Sequence, residues 1–367
     1  MALPHFDRSR IVRKPLAQRV NRVFVARDLV QPSRKPRPLP AAPAAVLKEI
    51  VGWVRAARAA GKPVILATGA HTMKNGLGPV LVALMEKGWL THFATNGAGI
   101  IHDWELAWLG ETSAHVEKNI EKGDFGTWEE TGFFLNLALL VGAFEGRGYG
   151  ESIGKMIEAE GLEIPSAAAL EQAAREGLHG DLSRAAAAVD LLDAVRRFRL
   201  GAGRLAVPHR WKSASVQAAA FRLGVPSTGH PMFGHDVIYT HPMSCGAAIG
   251  RAAERDFLAF VSSVSALEGG VYLSVGSAVM SPMVFEKSLS MARNVALQEG
   301  RRITGHRIAV VDLAKSAWDW GKGEPPEDHP DYYLRFNKTF HRMGGTLRYL
   351  ALDNRDFLLG LLRALEG

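Results

Sequence analysis

Two turns rich in glycine and small polar residues stand between Val64 and Asp103, and each follows a short apolar segment. The first reads TGAHTMKNG over residues 68–76, and the second reads TNGAG over residues 95–99. In a parallel α/β sheet such turns lie at the carboxyl ends of strands, where ligands bind. Glycine lets backbone N–H groups approach a pyrophosphate, and the next helix N-terminus favours anions. The turns therefore predict a nucleotide site, although glycine and asparagine also serve simply to make tight turns.

A second polar segment brings histidines and an acid together in the sequence GHPMFGHDVIYTHP. Its members are His230, His235, Asp236 and His241. These ligand types suit a metal, but four and five residues separate the histidines, which matches no pair on one helical turn. The flanking prolines favour a turn. We therefore predict an active-site loop without a metal, in which His235 or His230 acts as an acid or base.

Alternating strands and helices must position these segments. Strands are predicted at 63–68, 91–95, 225–228, 270–275, 306–312 and 348–351. Helices are predicted at 44–60, 77–87, 129–141, 166–197, 215–223, 252–267, 281–294 and 357–365. The alternation indicates a parallel sheet with right-handed crossovers. We predict one doubly wound, mostly parallel Rossmann-like α/β domain over residues 44–367, with a helical insertion at about 112–200. The glycine-rich stretch at 146–154 follows a helical pattern rather than a strand, so we do not assign it to phosphate binding.

The N-terminal segment differs in charge from the rest of the chain. The formal net charge is +7, and residues 1–40 alone carry ten basic and two acidic residues. Residues 31–43 contain five prolines, so we predict a basic arm and linker over residues 1–43. Such an arm can contact nucleic acid, lie across an acidic neighbouring subunit or remain solvated. No basic patch interleaved with aromatic residues follows it, which argues against nucleic acid.

Composition is typical of a soluble globular protein, with 367 residues, 47% hydrophobic and 22% charged. No uncharged apolar run is long enough to span a membrane, and the N-terminus lacks the apolar segment of a secretory signal. We therefore predict a cytoplasmic protein. The single cysteine, Cys245, excludes an internal disulfide and a multi-cysteine metal site. Its small-residue surroundings favour a buried structural role over that of a nucleophile.

Three further motifs, together with the two turns, make the chain resemble the deoxyhypusine synthase family over about residues 44–322. They are GVPSTGHPMFGHD at 224–236, GVYLSVGSAVMSP at 270–282, and Trp320-Gly321-Lys322. The resemblance implies a Rossmann-like fold, NAD as cofactor and a homotetramer with sites at subunit interfaces. It also implies the transfer of an aminobutyl group from a polyamine such as spermidine to an acceptor amine, which could be a protein lysine.

The resemblance implies specific roles for residues of this chain. Lys322 would form an imine with the aminobutyl group, with Lys315 as a rival. A lysine attacks carbon only when neutral, so Lys322 would need a lowered pKa. The predicted cofactor residues are Thr68, Gly69, His71, Asn75, Thr95, Asn96, Gly97, Gly99, Asp103, Gly276 and Ser277. The predicted substrate residues are Asp236, Trp320 and Ser281, and His235 would assist in catalysis.

The chain also departs from the family pattern. Ile101 or His102 stands where the family has a glutamate, and Ser277 and Ala278 stand where it has glycines. An alternative is therefore another NAD-dependent enzyme on the same scaffold, with cyclodeaminase-like or dehydrogenase-like activity. A further alternative is a nucleotide-binding protein without catalytic activity.

Overall fold

A six-stranded parallel sheet organises the computed structural model, which describes residues 3–367. The strands are β1 (Asn21–Phe24), β2 (Val64–Thr68), β3 (His92–Asn96), β4 (Glu111–Ala114), β5 (Gly161–Ile164), β6 (Gly203–Ala206), β7 (Ser227–His230), β8 (Val271–Val275), β9 (Arg307–Asp312) and β10 (Thr346–Ala351). The helices are α1 (Val25–Asp28), α2 (Ala41–Ala59), α3 (His71–Lys74), α4 (Gly78–Glu86), α5 (Gly97–Trp108), α6 (Val116–Glu121), α7 (Glu129–Phe144), α8 (Tyr149–Ala159), α9 (Ala167–Gly177), α10 (Leu182–Arg197), α11 (Val216–Leu223), α12 (Gly246–Ser265), α13 (Met280–Gln298), α14 (Arg335–Arg342) and α15 (Asn354–Glu366).

The order of strands across the main sheet is β10-β9-β8-β2-β3-β7, and each neighbouring pair is parallel. The chain starts at β2 in the middle, moves out through β3 to β7, and then crosses back to β8 on the other side of β2. This is the 3-2-1-4-5-6 order of the doubly wound dinucleotide-binding fold, with its reversal between β2 and β8. The predicted Rossmann-like α/β fold is confirmed.

Helices cover both faces of this sheet, which explains why its central strands read as continuous apolar runs. Every residue of β2 and β8 is buried. On one face Val64 and Leu66 pack in a core with helices α2, α4 and α15. On the other face Ile65 and Ala67 pack in a core with Phe260 of α12 and helix α13. Alternate residues of one strand therefore hold the two helical layers in place.

A third core lies in the mostly helical part of the chain, where helices α5, α7, α8, α9 and α10 pack together. The predicted helix at 166–197 is in fact two helices, because Gly177 ends α9 and the Asp181 side chain caps the N-terminus of α10. The short strands β4, β5 and β6 were not predicted. The glycine-rich stretch at 146–154 begins α8, whose Gly150 N–H donates to the Asp256 carboxylate at 2.9 Å. The division of the chain at residue 43 and the limits of the insertion stay predictions.

The N-terminal segment lies against the rest of the same chain. Strand β1 pairs antiparallel with β4, and Leu16 is buried in the third core. Lys14 forms an ion pair with Asp124 at 2.7 Å, and the Arg8 side chain donates to the carbonyl oxygen of Tyr239 at 2.9 Å. Some basic residues of this segment, which the sequence left available to bind another molecule, therefore contact residues of the same chain instead. Residues 1 and 2 of the predicted arm lie outside the described residues.

The deepest of these contacts is a buried ion pair between Arg19 and Glu105 on α5. The guanidinium donates twice to the carboxylate, at 2.8 and 2.7 Å, and Arg19 Nε donates to Asn21 Oδ1 at 2.7 Å. Burial alone would raise the pKa of Glu105, but the charge of Arg19, the interaction with His102 and the Arg19 hydrogen bonds outweigh it and lower this pKa to about 2. Glu105 is therefore ionised inside the protein. Among the described residues, no helix is long and apolar enough to cross a membrane.

Replacement of Arg19 tests how much its ion pair with Glu105 stabilises the fold. Arg19→Met leaves the Glu105 carboxylate buried without a counter-charge, so we expect the free energy of unfolding to fall by about 3–5 kcal/mol in urea titrations. The control is Arg37→Met, which breaks an ion pair with Asp356 in which the arginine side chain is 65% exposed. That change should cost at most about 1 kcal/mol.

The pH dependence of the unfolding free energy provides a second test with the Arg19→Met variant. The folded-state pKa of Glu105 lies below its ordinary value of 4.5, so the stability that the pair contributes is present above about pH 4.5. It is lost as the pH falls toward about 2. The difference between wild type and Arg19→Met should therefore shrink on acidification. If Arg19→Met and Arg37→Met lowered the free energy of unfolding equally, the buried ion pair would contribute no more stability than the exposed one.

Candidate functional site

The carboxyl ends of β2 and β8 meet where the strand order reverses. A Cβ atom added to Gly69, just after β2, would lie 2.2 Å from the carbonyl oxygen of Gly276, just after β8. Gly276 also has φ +60°, a conformation that L side chains rarely adopt. Position 69 therefore requires glycine because the backbones approach closely, and position 276 requires it because of the positive φ. The reversal of strand order opens the crevice in which doubly wound folds bind dinucleotides.

Two threonine hydroxyls beside this crevice have unused hydrogen-bonding capacity. Thr68 ends β2 and Thr72 lies in α3, and both side chains are fully buried. Neither hydroxyl oxygen has a hydrogen-bond partner among the described residues. Buried polar groups are normally paired, so these two hydroxyls could serve as hydrogen-bond partners for a molecule bound at the crevice. Together with the glycine contact, they fit a phosphate-bearing ligand over the end of β2.

A cavity lies on each side of the turn that follows β2. The β8-side cavity has a volume of about 180 Å³ and is lined by His71, Asn75, Gly276, Val311, Asp312, Leu313, Leu352, Asp353 and Asn354. The β3-side cavity has a volume of about 210 Å³ and is lined by Arg19, Lys74, Ala98, Ile101, His102, Glu105, Ser113, Ala114, Val116, Phe125, Gly126, Trp128, His235, Asp236 and Val237. A larger cavity of about 340 Å³ lies at the amino end of β7, away from the carboxyl edge. The two cavities at the carboxyl edge together form the candidate site.

In the β8-side cavity, the turn after β2 is held against the start of α15. Asn75 Nδ2 donates to Asn354 Oδ1 at 2.8 Å. Asp353 caps α15 by accepting from the backbone N–H of Arg355 at 2.8 Å. Burial, with smaller effects from the charges of Lys74 and His102, lowers the pKa of His71. A neutral His71 can therefore accept or donate a hydrogen bond at this edge.

In the β3-side cavity, Asp236 lies against the first turn of α5. A Cβ atom on Gly97 would lie 2.2 Å from Asp236 Oδ2, so only glycine leaves room for the carboxyl group. Tyr239 donates to the same oxygen at 3.4 Å. Burial raises the pKa of Asp236 to about 6, although the hydrogen bond from Tyr239 opposes the rise. This carboxyl group can therefore change its charge near neutral pH.

Lys74 is the free cation of the β3-side cavity and was missed by sequence reasoning. It is half-buried, and no carboxylate among the described residues lies within ion-pairing distance of its amine. Burial, and to a smaller extent the charge of Arg22, lowers its pKa. Its position inside the first glycine-rich turn was the sequence feature that could have identified it as a candidate site residue. Nearby Ser113 has φ +71°, a backbone strain of the kind that collects at functional sites.

The structure brings seven of the predicted residues to the two cavities or to the crevice between them. They are Gly69, His71, Asn75, Gly97, His235, Asp236 and Gly276, and an eighth predicted residue, Thr68, ends β2 beside the same crevice. His235 lies at the surface of its cavity and is exposed. His230 and His241 have other partners, since His230 Nε2 lies 3.1 Å from Thr228 Oγ1 and His241 Nε2 lies 3.4 Å from Glu129. Among the described residues, no group of three potential metal ligands is close enough to hold a metal ion.

Several other predicted residues use their polar atoms in local structure. Thr95 donates to the Thr68 carbonyl oxygen at 3.0 Å, and Asn96 caps α5 by accepting from Gly99 N–H at 2.9 Å. Ser277 accepts from Ser281 N–H at 3.2 Å. The Ser281 hydroxyl pairs with Tyr272 at 2.8 Å. These contacts hold the strand ends and helix starts that surround the crevice.

Asp103 and Lys322 lie apart from both cavities. Asp103 is buried and accepts hydrogen bonds from Ser215 at 2.6 Å and from the backbone N–H of Val216 at 3.0 Å, so it caps α11 from within the protein. The Lys322 side chain is 77% exposed, so it lacks the desolvation that imine chemistry needs. Trp320 is buried and donates to Ser316 at 2.9 Å.

Comparison with known proteins finds solved structures of similar fold that are not deoxyhypusine synthases. No protein-family model and no curated protein matches the chain. Solved structures with a similar fold include apo ArgZ, an arginine dihydrolase from the ornithine–ammonia cycle in cyanobacteria (13% identity, 90% of this chain and 33% of that chain, TM-score 0.42). They also include AgrE in its ternary complex with ornithine and NAD⁺ (13% identity, 91% and 34%, TM-score 0.43) and the LOR/SDH protein from Methanococcus maripaludis S2 (12% identity, 97% and 76%, TM-score 0.41).

The chain spans about a third of the length of ArgZ and AgrE, and at these identities the likeness concerns the fold. These structures are an arginine dihydrolase and LOR/SDH-type proteins rather than deoxyhypusine synthases. The predicted membership of the deoxyhypusine synthase family is therefore wrong, and so is the assignment of a polyamine such as spermidine as the substrate. The role of Lys322 as an imine-forming lysine depended on that resemblance and loses its support. Short glycine-rich turns at strand ends are common to many doubly wound folds, which explains the error.

Replacement of Asp236 tests its buried, titrating carboxyl group. Because the folded-state pKa is about 6 and the ordinary value is 3.8, the folded protein favours the neutral acid. Ionisation then destabilises the wild type progressively between these pH values and fully above them. Asp236→Asn removes this effect. Relative to wild type, the variant should therefore gain roughly 1–3 kcal/mol of unfolding free energy between about pH 4 and pH 7.

Urea titrations at the two pH values measure this difference. Asp328→Asn, a change at an exposed carboxylate outside both cavities, is the matched control and should stay near wild type throughout. A stability difference for Asp236→Asn that does not change with pH would show that Asp236 is ionised freely in the folded protein.

Proposed function

We propose that the protein is an NAD-dependent enzyme with dehydrogenase-like or cyclodeaminase-like activity on a small polar molecule. The observation that carries the proposal is the reversal of strand order between β2 and β8, where Gly69 and Gly276 meet at backbone contact. With no side chain on either glycine, the backbone at both strand ends would be open to a pyrophosphate, as in dinucleotide-binding folds. The solved complex of AgrE with ornithine and NAD⁺ shows that one protein of similar fold binds this cofactor.

The dinucleotide would lie along the carboxyl edge of the sheet, across the turn at residues 68–76. Its pyrophosphate would contact the backbone at Gly69 and Gly276 and the buried hydroxyls of Thr68 and Thr72. The cavities on either side would hold the groups at its two ends or the substrate. When bound, the nicotinamide accepts a hydride from a substrate carbon.

The substrate would bind in the β3-side cavity, whose volume of about 210 Å³ suits a small molecule. Lys74 offers an uncompensated positive charge for an anionic group. Asp236 offers a carboxyl group that accepts a hydrogen bond when ionised and donates one when neutral. The N-terminal segment closes one wall through Arg19, which holds Glu105 in its ionised form.

Several earlier expectations remain proposals alongside this one. We propose that the protein forms homo-oligomers and acts in the cytoplasm, and that nucleic acid is not a partner. His235 stays a candidate acid or base at the surface of the β3-side cavity.

Binding of NAD tests the proposal directly. We expect NAD⁺ to bind the wild-type protein in titration calorimetry. His71→Glu, which adds a negative charge at the turn where the pyrophosphate would lie, should weaken binding about tenfold, which corresponds to about 1.4 kcal/mol. The control is His179→Glu, the same substitution at an exposed position outside both cavities. Failure of the wild type to bind at millimolar NAD⁺ would contradict the proposal.

Turnover then separates the two kinds of activity. Incubation with NAD⁺ and a panel of small amino and hydroxy acids, read by NADH absorbance and ammonia release, distinguishes them. Net NADH formation identifies a dehydrogenase. Ammonia release without net NADH identifies a cyclodeaminase-like enzyme, in which the hydride returns to the product.

A further inference from the structure

A chain of hydrogen bonds leads from the buried Glu105 carboxylate to the β3-side cavity. Thr112 donates to Glu105 Oε2 at 2.5 Å, and Thr131 donates to Oε1 at 3.1 Å. Arg19 donates to both oxygens. An ionised carboxylate only accepts hydrogen bonds, so each of these partners must supply a proton. The single hydroxyl proton of Thr112 is therefore committed to Glu105.

This commitment fixes the tautomer of His102. His102 Nδ1 lies 2.7 Å from Thr112 Oγ1, and this oxygen has no proton left to donate toward the ring. Nδ1 must therefore carry the proton and donate it to Thr112. In the neutral ring Nε2 is then unprotonated, and it has no hydrogen-bond partner among the described residues. His102 lines the β3-side cavity, and its side chain is 19% exposed.

We propose that His102 is the proton acceptor for the molecule that reacts in the β3-side cavity, with Thr112 and Glu105 as positioning residues. The inference rests on the proposed NAD-dependent function and adds the residue that takes the proton. It parallels the arrangement in which a carboxylate orients a histidine base, with a threonine hydroxyl between the two groups.

The proton step balances with the hydride transfer that the proposed function supplies. Bound NAD⁺ would supply the oxidant by accepting a hydride from a substrate carbon–hydrogen bond, and the O–H or N–H bond of the substituent on the same carbon would break in the same step. That proton forms a new bond with His102 Nε2, and the electron pair it leaves forms the C=O or C=N double bond of the product. The resulting imidazolium lies 3.9 Å from the Glu105 carboxylate, which stabilises its charge.

The charged groups around His102 come from several elements. Glu105 lies on α5, Arg19 in the N-terminal segment and Lys74 on α3, while His235 and Asp236 precede a short turn after β7. Of these, only Glu105 connects to His102 through hydrogen bonds. Glu105 therefore sets the orientation of the ring, while Lys74 and Asp236 remain available to the ligand.

The orientation is tested on the cofactor-free full chain by ¹⁵N NMR of the histidine rings, with His102→Gln used to assign the signals. We expect the neutral form of the His102 ring to carry its proton on Nδ1. In Thr112→Val, which keeps the shape of the side chain and removes its oxygen, the Nδ1–H form should lose its dominance. A proton on Nε2 in the wild type, or a tautomer unchanged in Thr112→Val, would overturn the inference.

The proton-accepting role is tested by kinetics with the substrate identified by the turnover panel. His102→Gln should lower kcat by about a hundredfold or more, with KM within a few fold of wild type. Thr112→Val should lower kcat by about tenfold, because the ring is still present but less well oriented. The control is His179→Gln, at an exposed position outside both cavities, which should match wild type. A His102→Gln variant that keeps most of its kcat would overturn the inference.

Diethyl pyrocarbonate provides a readout without turnover, since it reacts with an unprotonated, accessible ring nitrogen. Mass mapping should find His102 modified in the wild type, and prior binding of NAD⁺ with a substrate analogue should protect it. An unmodified His102 would overturn the inference even if NAD⁺ binds. Absence of NAD⁺ binding with a reactive, Nδ1-protonated His102 would instead count against the proposed function alone.

Discussion

An ionised carboxylate buried in the protein is the constraint on which the candidate site depends. Glu105 is 1% exposed, and its charge persists there because Arg19 supplies two hydrogen bonds and a full positive charge. This pair joins the N-terminal segment to α5, while Thr112 adds β4 to the same network. Helix α5 in turn presents Gly97 to Asp236 and His102 to the cavity. One buried charge thus joins the N-terminal segment, β4 and α5 beside the candidate site.

Much of the fold could be predicted from the sequence because its causes are local. Buried parallel strands such as β2 and β8 are apolar along their whole length, and helices between them show the spacing of a single buried face. The glycines at 69 and 276 follow two of these strands, so their place at the carboxyl edge was accessible. What the pattern could not show is that these two glycines touch, since the contact depends on β8 crossing back to lie beside β2.

The chemistry of the site was harder to predict because it depends on residues distant in sequence. Arg19 and Glu105 are 86 positions apart, and nothing in either local sequence indicates that they pair. Asp103 and Glu105 are both buried acids of α5, yet Asp103 caps α11 and Glu105 forms an ion pair with Arg19. Lys322 was the predicted reactive lysine, but it is exposed, whereas Lys74 is half-buried beside a cavity. Hydrogen-bond partners separate the two acids and burial separates the two lysines, and neither can be read from residue type.

Hydrogen–deuterium exchange with and without NAD⁺ tests most directly whether the reversal of strand order is a dinucleotide site. We expect slower exchange of backbone amides at residues 68–76 and 275–281 when NAD⁺ is present, because these segments would contact the pyrophosphate. The cavity at the amino end of β7, near residues 224–228, should show no change. Unchanged exchange at both strand ends, under conditions where NAD⁺ is bound, would contradict the account by placing the cofactor elsewhere.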